Sequence, residues 1–214
     1  ANLPEGRVIQ AVGGFYQIFS EEHGIVVAMA RGKFRQEEGI LVGDMVQYQL
    51  TPEGQGVIEK VKPRKLVLKR PNVSNVNQMA LVFSFKKPEY NTFMIDRFLL
   101  SAESTPGMEV LLLFNKEDLV TEMAVEEVGT VYQEVGYKVL VTSAVTGLGR
   151  DSLLEELEGK VTVFSGPSGV GKSALLNMIS PTLDLRTGAI SKKIDRGRHT
   201  TRLTQLFPLP NKPG

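Results

Sequence analysis

The sequence contains no cysteine, and that absence already excludes some chemistry. A chain without thiols forms no disulfide, and its residues offer no thiolate metal site. No apolar run approaches the roughly 18 residues that a membrane-spanning helix requires. The first residues, 1–7, are polar and few, so nothing there is typical of a signal peptide. The lack of cysteine fits a reducing compartment, and a content of 42% hydrophobic and 23% charged residues is expected of a soluble globular protein.

Net charge is also nearly absent, at +1 over 214 residues, but the charges are segregated. Residues 60–70 hold six basic residues and no acid, and residues 185–214 hold seven basic residues and one acid. Between them, residues 117–158 carry ten acids and two bases. Because like charges in a cluster repel each other, contact with a polyanion is the commonest reason for a basic cluster, and a solvated face is the alternative.

The first part of the chain is predicted to form a small closed barrel. Short β-strands are predicted at residues 7–12, 15–20, 25–29, 45–50 and 57–61, with glycine turns between them. The OB-fold is the commonest five-stranded barrel, and many of its members bind nucleic acid; an SH3-like barrel is the alternative. The predicted loop 30–35 combines an aromatic residue with three cations, which suits base stacking and phosphate contact: Arg31, Lys33 and Arg35.

A basic segment between Pro63 and Pro71 is interpreted as a linker, and the sequence pattern changes after it. Strands are predicted at residues 78–85, 109–114, 138–142 and 161–165, and helices at 93–103, 120–135, 150–157 and 172–179. Strands that alternate with helices indicate a parallel sheet covered on both faces. We therefore expect two domains, an all-β OB-fold barrel over residues 1–68 and an α/β domain over residues 69–214.

The clearest motif is a phosphate-binding loop, G-x-x-x-x-G-K-[ST], between a predicted strand and a predicted helix. Its glycines let backbone N–H groups turn around a β-phosphate, and the helix N-terminus adds a favourable dipole. Lys172 is expected to reach the β- and γ-phosphates, and the Ser173 hydroxyl to bind Mg²⁺. The residues predicted to hold the nucleotide here are Gly166, Pro167, Ser168, Gly169, Val170, Gly171, Lys172, Ser173 and Ala174.

A second motif, N-K-x-D, is predicted to choose the base; it consists of Asn115, Lys116, Glu117 and Asp118. The Asp118 carboxylate can accept hydrogen bonds from guanine N1–H and the 2-amino group. Adenine lacks both donors, so a site built on this contact rejects it. The Asn115 amide is expected to reach the O6/N7 edge of the purine, and the stem of Lys116 to lie on the ring.

A third segment, T-S-A, follows the predicted strand 138–142 and includes Ser143 and Ala144. A small residue there lets its backbone N–H approach guanine O6, and Ala144 is expected to be that residue. All three motifs then follow the carboxyl ends of parallel strands, the edge at which open α/β sheets bind ligands. The sequence therefore predicts a guanine nucleotide site.

The order of these motifs is the reverse of that in ordinary GTPases, where the phosphate loop comes first. A parallel sheet tolerates this order because circular permutation succeeds where chain ends are exposed and close together. The permuted order resembles the bacterial and plastid ribosome-small-subunit-dependent GTPase A family, also called YjeQ or YloQ. The resemblance covers essentially the whole chain, and it also includes the phosphate loop, R-T-G at 186–188, G-R-H-T-T-R at 197–202 and the basic segment 31–35.

This resemblance implies an N-terminal OB-fold, a circularly permuted P-loop GTPase domain, GTP/GDP and Mg²⁺ as ligands, and a role in late maturation of the small ribosomal subunit. Two family features are missing from the sequence. The D-x-P-G motif is expected soon after Leu209, and a zinc domain is expected at the C-terminus. The chain also does not begin with Met, so we interpret it as a fragment, and zinc is expected only in the missing domain.

We therefore expect a GTPase that hydrolyses GTP to GDP and phosphate and is stimulated by the small ribosomal subunit. It is expected to act as a monomer in the cytoplasm, or in the plastid stroma if the chain is from a plant. No obvious catalytic glutamine is present, so intrinsic turnover is expected to be slow. A P-loop ATPase is one alternative and predicts a preference for ATP. A non-enzymatic, GTP-dependent RNA-binding module is the other and predicts binding without turnover.

The resemblance and the motifs together give the candidate residues. Those expected to act in hydrolysis are Lys172, Ser173, His199, Thr200 and Thr201. One of the two threonines is expected to bind Mg²⁺ with Ser173, and His199 either orients water, contacts RNA or is an ordinary loop residue. The candidate contacts to rRNA are Arg31, Lys33, Arg35, Lys62, Arg64, Lys65, Lys69 and Arg70.

Overall fold

The computed structural model describes residues 3–32, 39–69, 71–185 and 204–209. Their contacts divide into two compact units, with the division between Val76 and Asn77. Residues 204–208 belong to the first unit. The predicted domain limit after residue 68 stays a prediction. Among the described residues, no helix is both long enough and apolar enough to cross a membrane.

The first unit contains a closed five-stranded, OB-like barrel, as predicted. Its strands are β1 (Glu5–Val12), β2 (Phe15–Ser20), β3 (Gly24–Ala30), β4 (Met45–Leu50) and β5 (Gly56–Val61). They are arranged around the barrel in the order β1-β2-β3-β5-β4, and β1 closes the barrel by pairing with β4. Alternate residues such as Val8, Ile18 and Ile58 point inward and form the core, because side chains alternate between the two faces of a strand.

The predicted basic linker, between Pro63 and Pro71, is wrong in part, because it contains the first strand of a short antiparallel hairpin. Strands β6 (Val67–Lys69) and β7 (Asn72–Ser74) pair with Leu68 opposite Val73, and both of these side chains are buried. Each strand has only three residues, too few for an alternating pattern to be recognised among so many cations.

A buried carboxylate joins this hairpin to the barrel. Asp44 is fully buried and accepts hydrogen bonds from the Ser74 hydroxyl at 2.6 Å and from the Leu41 backbone N–H at 2.8 Å. The Arg64 guanidinium, only 15% exposed, donates to both carboxylate oxygens at 2.8 and 2.9 Å. The preceding residue must be glycine, because Gly43 has φ +97° and a Cβ there would lie 1.9 Å from the Ser74 carbonyl oxygen.

The second unit is built on a four-stranded parallel sheet. Its strands are β8 (Gln78–Ser84), β9 (Glu109–Asn115), β10 (Lys138–Val141) and β11 (Thr162–Ser165), in the order β10-β9-β8-β11. Its helices are α1 (Thr92–Glu103), α2 (Glu122–Glu134), α3 (Arg150–Leu157) and α4 (Lys172–Ile179). Helices α1 and α2 pack on one face of the sheet, and α3 and α4 pack on the other. The predicted parallel sheet with two covered faces is confirmed.

One helix begins later than predicted. The prediction started α2 at residue 120, but residues Glu117–Leu119 form a short 3₁₀ turn and Val120 is extended, so the helix begins at Glu122. The chain must finish the turn that carries Asp118 before a new helix can start. The other helices and strands of the sheet agree with the prediction to within one residue at each end.

The order of the strands creates a crevice at one edge of the sheet. The chain runs outward from β8 to β9 and β10 on one side, then crosses to β11 on the other side of β8. The point where the direction reverses, between β8 and β11, is where open α/β sheets bind ligands at the carboxyl ends of their strands. The phosphate loop begins directly after β11 and therefore lies beside this point.

The Arg64–Asp44 pair gives a first prediction, about stability. Arg64→Ala leaves the Asp44 carboxylate buried without its cation, so we expect a loss of about 3 kcal/mol in the free energy of unfolding of the first unit. Urea denaturation monitored by circular dichroism measures this loss. The matched control is Lys65→Ala, since Lys65 is the exposed neighbour. Equal unfolding midpoints for the two variants would show that the pair does not stabilise the barrel.

Candidate nucleotide-binding site

Three loops at the carboxyl ends of β9, β10 and β11 meet around one buried side chain. Asn115, the last residue of β9, is 1% exposed. Its Nδ2 donates to the carbonyl oxygen of Val170 in the phosphate loop at 2.9 Å. Its Oδ1 accepts from the Thr142 hydroxyl and the Ala144 backbone N–H, both at 3.3 Å. The structure therefore brings together the three motifs that the sequence predicted to form one site.

The next residue adds a second connection. Lys116 has a left-handed backbone, with φ +65°, and its Nζ donates to the carbonyl oxygen of Gly169 at 2.7 Å and to that of Lys87. Burial lowers the pKa of the Lys116 ammonium, and the nearby Asp118 carboxylate opposes this shift. Lys116 thus links the motif after β9 to the phosphate loop and to the loop after β8.

The predicted guanine-reading carboxylate is exposed and held from one side. The Ser143 hydroxyl donates to Asp118 Oδ1 at 2.5 Å and accepts from the Thr146 backbone N–H at 3.2 Å. Within the described part of the chain, Asp118 Oδ2 has no hydrogen-bond partner. Ser143 therefore fixes the direction of the carboxylate while leaving it open to a ligand. Sequence reasoning placed Ser143 at the site but missed this positioning role, because Ser143 and Asp118 lie 25 residues apart.

The phosphate loop has room for glycine alone at two positions. Gly166 has φ +139°, and a Cβ there would lie 2.1 Å from the Val82 carbonyl oxygen. Gly171 has φ +99°, and a Cβ there would lie 2.3 Å from Asn115 Nδ2. A side chain at Gly171 would therefore collide with the amide that joins the three loops. These glycines let the loop lie close to β8 and β9 and leave its backbone N–H groups available to an anion.

Lys172 begins α4 and turns back over the loop. Its Nζ donates to the carbonyl oxygens of Gly166 at 2.8 Å and Pro167 at 2.6 Å. Burial lowers the pKa of this ammonium. A phosphate placed beside it would favour the charged form, because an opposite charge within a few ångströms raises the pKa of a lysine. These two hydrogen bonds hold the Lys172 ammonium against the phosphate loop.

The remaining predicted site residues make few contacts or lie outside the described residues. Ser173 is half-buried at the second position of α4, and among the described residues its hydroxyl has no hydrogen-bond partner, so it is available as a metal ligand. Glu117 donates its backbone N–H to the Thr142 carbonyl oxygen at 3.2 Å. The described ranges contain no group of three or more His, Cys, Asp or Glu side chains that could hold a metal. Residues His199, Thr200 and Thr201 lie outside the described residues.

Sequence reasoning also missed the loop that comes after β8. The Ser84 hydroxyl donates to the Pro88 carbonyl oxygen at 2.6 Å, and Pro88 lies within 3.5 Å of the position that a Cβ on Gly169 would take. Together with the Lys116 contact to Lys87, these contacts place the loop against the phosphate loop. The signal was present, since this loop also starts at the carboxyl end of a parallel strand.

The cations predicted to contact RNA differ in whether they already pair with a carboxylate of the first unit. Arg31 pairs with Glu59 and Lys62 with Glu5, each at 2.5 Å, and Arg64 is bound to Asp44. Lys65 and Lys69 are exposed and form no ion pair with any other described residue. Lys33, Arg35 and Arg70 lie outside the described residues.

Comparison with known proteins assigns both parts of the chain. Residues 61–213 match the family described as RsgA GTPase, and residues 5–58 match the RsgA N-terminal domain. The chain is 44% identical over 206 residues to the small ribosomal subunit biogenesis GTPase RsgA of Caldanaerobacter subterraneus subsp. tengcongensis; the match covers 96% of this chain and 69% of the relative.

Solved structures give the same result. The crystal structure of YjeQ from Thermotoga maritima is 41% identical with a TM-score of 0.77, and the match covers 86% of this chain and 67% of that one. YloQ, described as a circularly permuted GTPase, is 36% identical with a TM-score of 0.73, and the match covers 84% of this chain and 65% of that one. The predicted resemblance and the permuted order are confirmed.

The Asp118 geometry gives a second prediction, about base choice. In Asp118→Asn one acceptor oxygen becomes an amide donor, so guanine N1–H and the 2-amino group lose an acceptor. Xanthine carries an oxygen in place of the 2-amino group, and this oxygen can accept a hydrogen bond from the new amide. We expect the preference to shift from GTP toward xanthosine triphosphate, with GTP affinity lower by about tenfold or more. Competition titrations with both nucleotides measure the shift, and wild-type GTP affinity in this variant would contradict the assignment.

Proposed function

Because the chain belongs to the RsgA GTPase family, we propose that it binds GTP and hydrolyses it to GDP and phosphate during biogenesis of the small ribosomal subunit. The single observation that carries this proposal is the buried Asn115 amide, which holds the guanine-reading motif against the phosphate loop. A P-loop alone does not choose a base, but a P-loop fixed beside Asp118 does. The site is therefore built for a guanine nucleotide rather than for ATP.

Different residues of the site bind the base and the phosphates. Asp118, oriented by Ser143, accepts hydrogen bonds from guanine N1–H and the 2-amino group. The aliphatic stem of Lys116 lies on the face of the guanine ring. The phosphate loop amides and Lys172 surround the phosphates. In hydrolysis, water attacks the γ-phosphorus, the bond from that phosphorus to the bridging oxygen breaks, and GDP leaves. Lys172 and the amides stabilise the negative charge that develops on the phosphate oxygens.

We propose Mg²⁺ as the metal of this site. The Ser173 hydroxyl is free to bind it, and one of Thr200 or Thr201 supplies a further oxygen ligand. When bound, the ion neutralises charge on the β- and γ-phosphates. His199, next to these threonines in sequence, is proposed to orient the attacking water or to contact RNA.

The first unit is proposed to contact rRNA through its cations. Lys65 and Lys69 support this best, because they are exposed without an ion pair among the described residues, and no acid lies within residues 60–70 of the sequence. Arg31, Lys62 and, from the sequence, Lys33, Arg35 and Arg70 are proposed as further contacts. Arg64 is the weakest of these candidates, since its guanidinium is already bound to buried Asp44.

The proposed place of action depends on the proposed partner. Small ribosomal subunits mature in the cytoplasm, so we place the protein there, as a monomer. The relative from Caldanaerobacter and the structure from Thermotoga are both bacterial, so the plastid alternative has no support from them.

A third prediction tests the proposed function. We expect small ribosomal subunits to stimulate GTP turnover by this protein, and Lys172→Ala to lower the stimulated rate about a hundredfold or more. The matched control is Lys138→Ala. Lys138 is the first residue of β10, which is the outer strand on the other side of the sheet from β11, and its ammonium pairs with Glu156. Release of labelled phosphate is measured for each variant with and without subunits.

Undiminished turnover in Lys172→Ala would place the chemistry elsewhere. GTP binding without turnover, even with subunits present, would favour the non-enzymatic RNA-binding module.

A further inference from the structure

A cavity of about 560 Å³ opens beside helix α1 in the second unit, and most of its lining takes no part in the nucleotide site. Pockets for small organic ligands measure roughly 300–1,000 Å³, so this α1 cavity can hold a whole ligand. One lining residue is Pro167 of the phosphate loop. The others share one face of α1 or directly precede the helix: Asn91, Phe93, Met94, Arg97, Phe98 and Ser101.

Aromatic and aliphatic side chains form the apolar part of this lining. Phe98 is half-buried and packs edge to face on the buried Phe83, with the ring centroids 5.7 Å apart, so the core fixes its position. Phe93 is 69% exposed and Met94 is 41% exposed. A ligand with an apolar ring would remove this surface from water, which favours its binding.

The polar part of the lining offers hydrogen-bond donors and no carboxylate. Arg97 is exposed and forms no hydrogen bond or ion pair with any described residue. The Asn91 side-chain oxygen already accepts from the Met94 backbone N–H at 3.2 Å, so its amide N–H groups are what it can offer a ligand. The Ser101 hydroxyl has no partner in the described part of the chain. An anion in the α1 cavity would therefore meet a guanidinium and neutral donors, with no like charge in the lining.

These features favour a small organic anion over other occupants. A stable protein interface takes about 20–30 residues from each side, whereas seven residues line this cavity. An uncharged apolar ligand would take the Arg97 guanidinium from water without a partner, at a cost in free energy. An apolar ring that carries a carboxylate or a sulfonate meets both requirements. Its ring contacts Phe93 and Met94, and its oxygens accept two N–H groups of the Arg97 fork.

The α1 cavity also adjoins the phosphate loop. Pro167 lines the cavity, and its carbonyl oxygen accepts from Lys172 Nζ at 2.6 Å. Asn91 comes directly after the loop that follows β8, and Pro88 of that loop lies 3.5 Å from the position that a Cβ on Gly169 would take. An anion in the cavity and a nucleotide on the phosphate loop would thus be close to each other, and like charges repel.

We propose that the α1 cavity is a second ligand site, for a small organic anion with an apolar ring, whose charge pairs with Arg97 and whose binding weakens that of the nucleotide. The site itself goes beyond the proposed GTPase function. Only its coupling to the nucleotide rests on that function.

The test uses anilinonaphthalene sulfonate, a dye with an apolar ring system and one negative charge, whose fluorescence rises on binding. It is titrated into the protein without nucleotide and into the protein saturated with GDP, which keeps the dye out of the nucleotide site. Arg97→Gln is expected to weaken dye binding to the GDP-bound protein about tenfold, because a charge-assisted hydrogen bond is lost. Phe93→Ala is expected to weaken it by a similar factor, because the ring loses an aromatic contact.

Two controls separate charge from apolar contact. Lys138→Gln removes a cation from the first residue of β10 and is expected to leave dye binding unchanged. Uncharged phenylnaphthylamine has the same rings without the sulfonate. Its binding is expected to be weakened by Phe93→Ala and unchanged by Arg97→Gln.

The coupling is measured by calorimetric titration of GDP at rising dye concentrations. The apparent dissociation constant of GDP is expected to rise about fivefold and then to level off, because two separate sites interact with a finite free energy. In Arg97→Gln the rise is expected to disappear over the same range of dye concentration.

Four outcomes overturn the inference. Wild-type dye affinity in both Arg97→Gln and Phe93→Ala would place the dye elsewhere, and a GDP constant that rises without a plateau would place it in the nucleotide site. An unchanged GDP constant would remove the coupling. An absence of saturable dye binding, with weaker binding of Arg97→Gln to small ribosomal subunits, would assign the cavity to a macromolecular partner. If the protein binds no GDP, the proposed function fails, and the titration without nucleotide still tests the cavity.

Discussion

The site depends on one buried amide that has to satisfy its hydrogen bonds. Asn115 is removed from water, so each of its unpaired polar atoms would cost free energy. Its partners are the Val170 carbonyl oxygen in the phosphate loop and the hydroxyl and N–H groups of Thr142 and Ala144. The amide is therefore satisfied only when the phosphate loop and the loop after β10 are both in place beside β9. The absence of a side chain at Gly171 is what leaves space for it.

This constraint explains why the reversed order of the motifs does not matter. Asn115 is the last residue of β9, which lies between β10 and β8, and β8 in turn pairs with β11. The three loops therefore start from strand ends at one edge of a single parallel sheet. Which loop comes first along the chain has no influence on that geometry. The order does decide which segment is connected to the phosphate loop through α4, because residues His199, Thr200 and Thr201 come after that helix in sequence.

The two units show how much the sequence could predict and why some features escaped it. The barrel, the parallel sheet and the three motifs were predictable because long alternating patterns and a P-loop in a strand–loop–helix context are strong local signals. The hairpin of β6 and β7 was missed because three-residue strands carry almost no pattern. The Arg64–Asp44 pair was invisible for a different reason: the residues are 20 apart in sequence, and a cation in a basic segment gives no sign that it is buried. The role of Ser143 likewise required the three-dimensional structure.

The sequence also could not show the whole role of Asn115. The sequence predicts that its amide contacts the purine edge, and the structure shows the amide joining three loops, so the two roles have to be separated by a measurement without nucleotide. The most direct one is amide hydrogen exchange of the nucleotide-free protein with Asn115→Asp, which replaces the donor to Val170 by a carboxylate oxygen. Asn91→Asp is the matched control, because Asn91 only accepts a hydrogen bond, from Met94, and aspartate accepts equally well. We predict faster exchange in the phosphate loop and at Ala144 for Asn115→Asp alone. Wild-type exchange in this variant, together with lost GTP binding, would show that Asn115 serves the base and does not hold the site together.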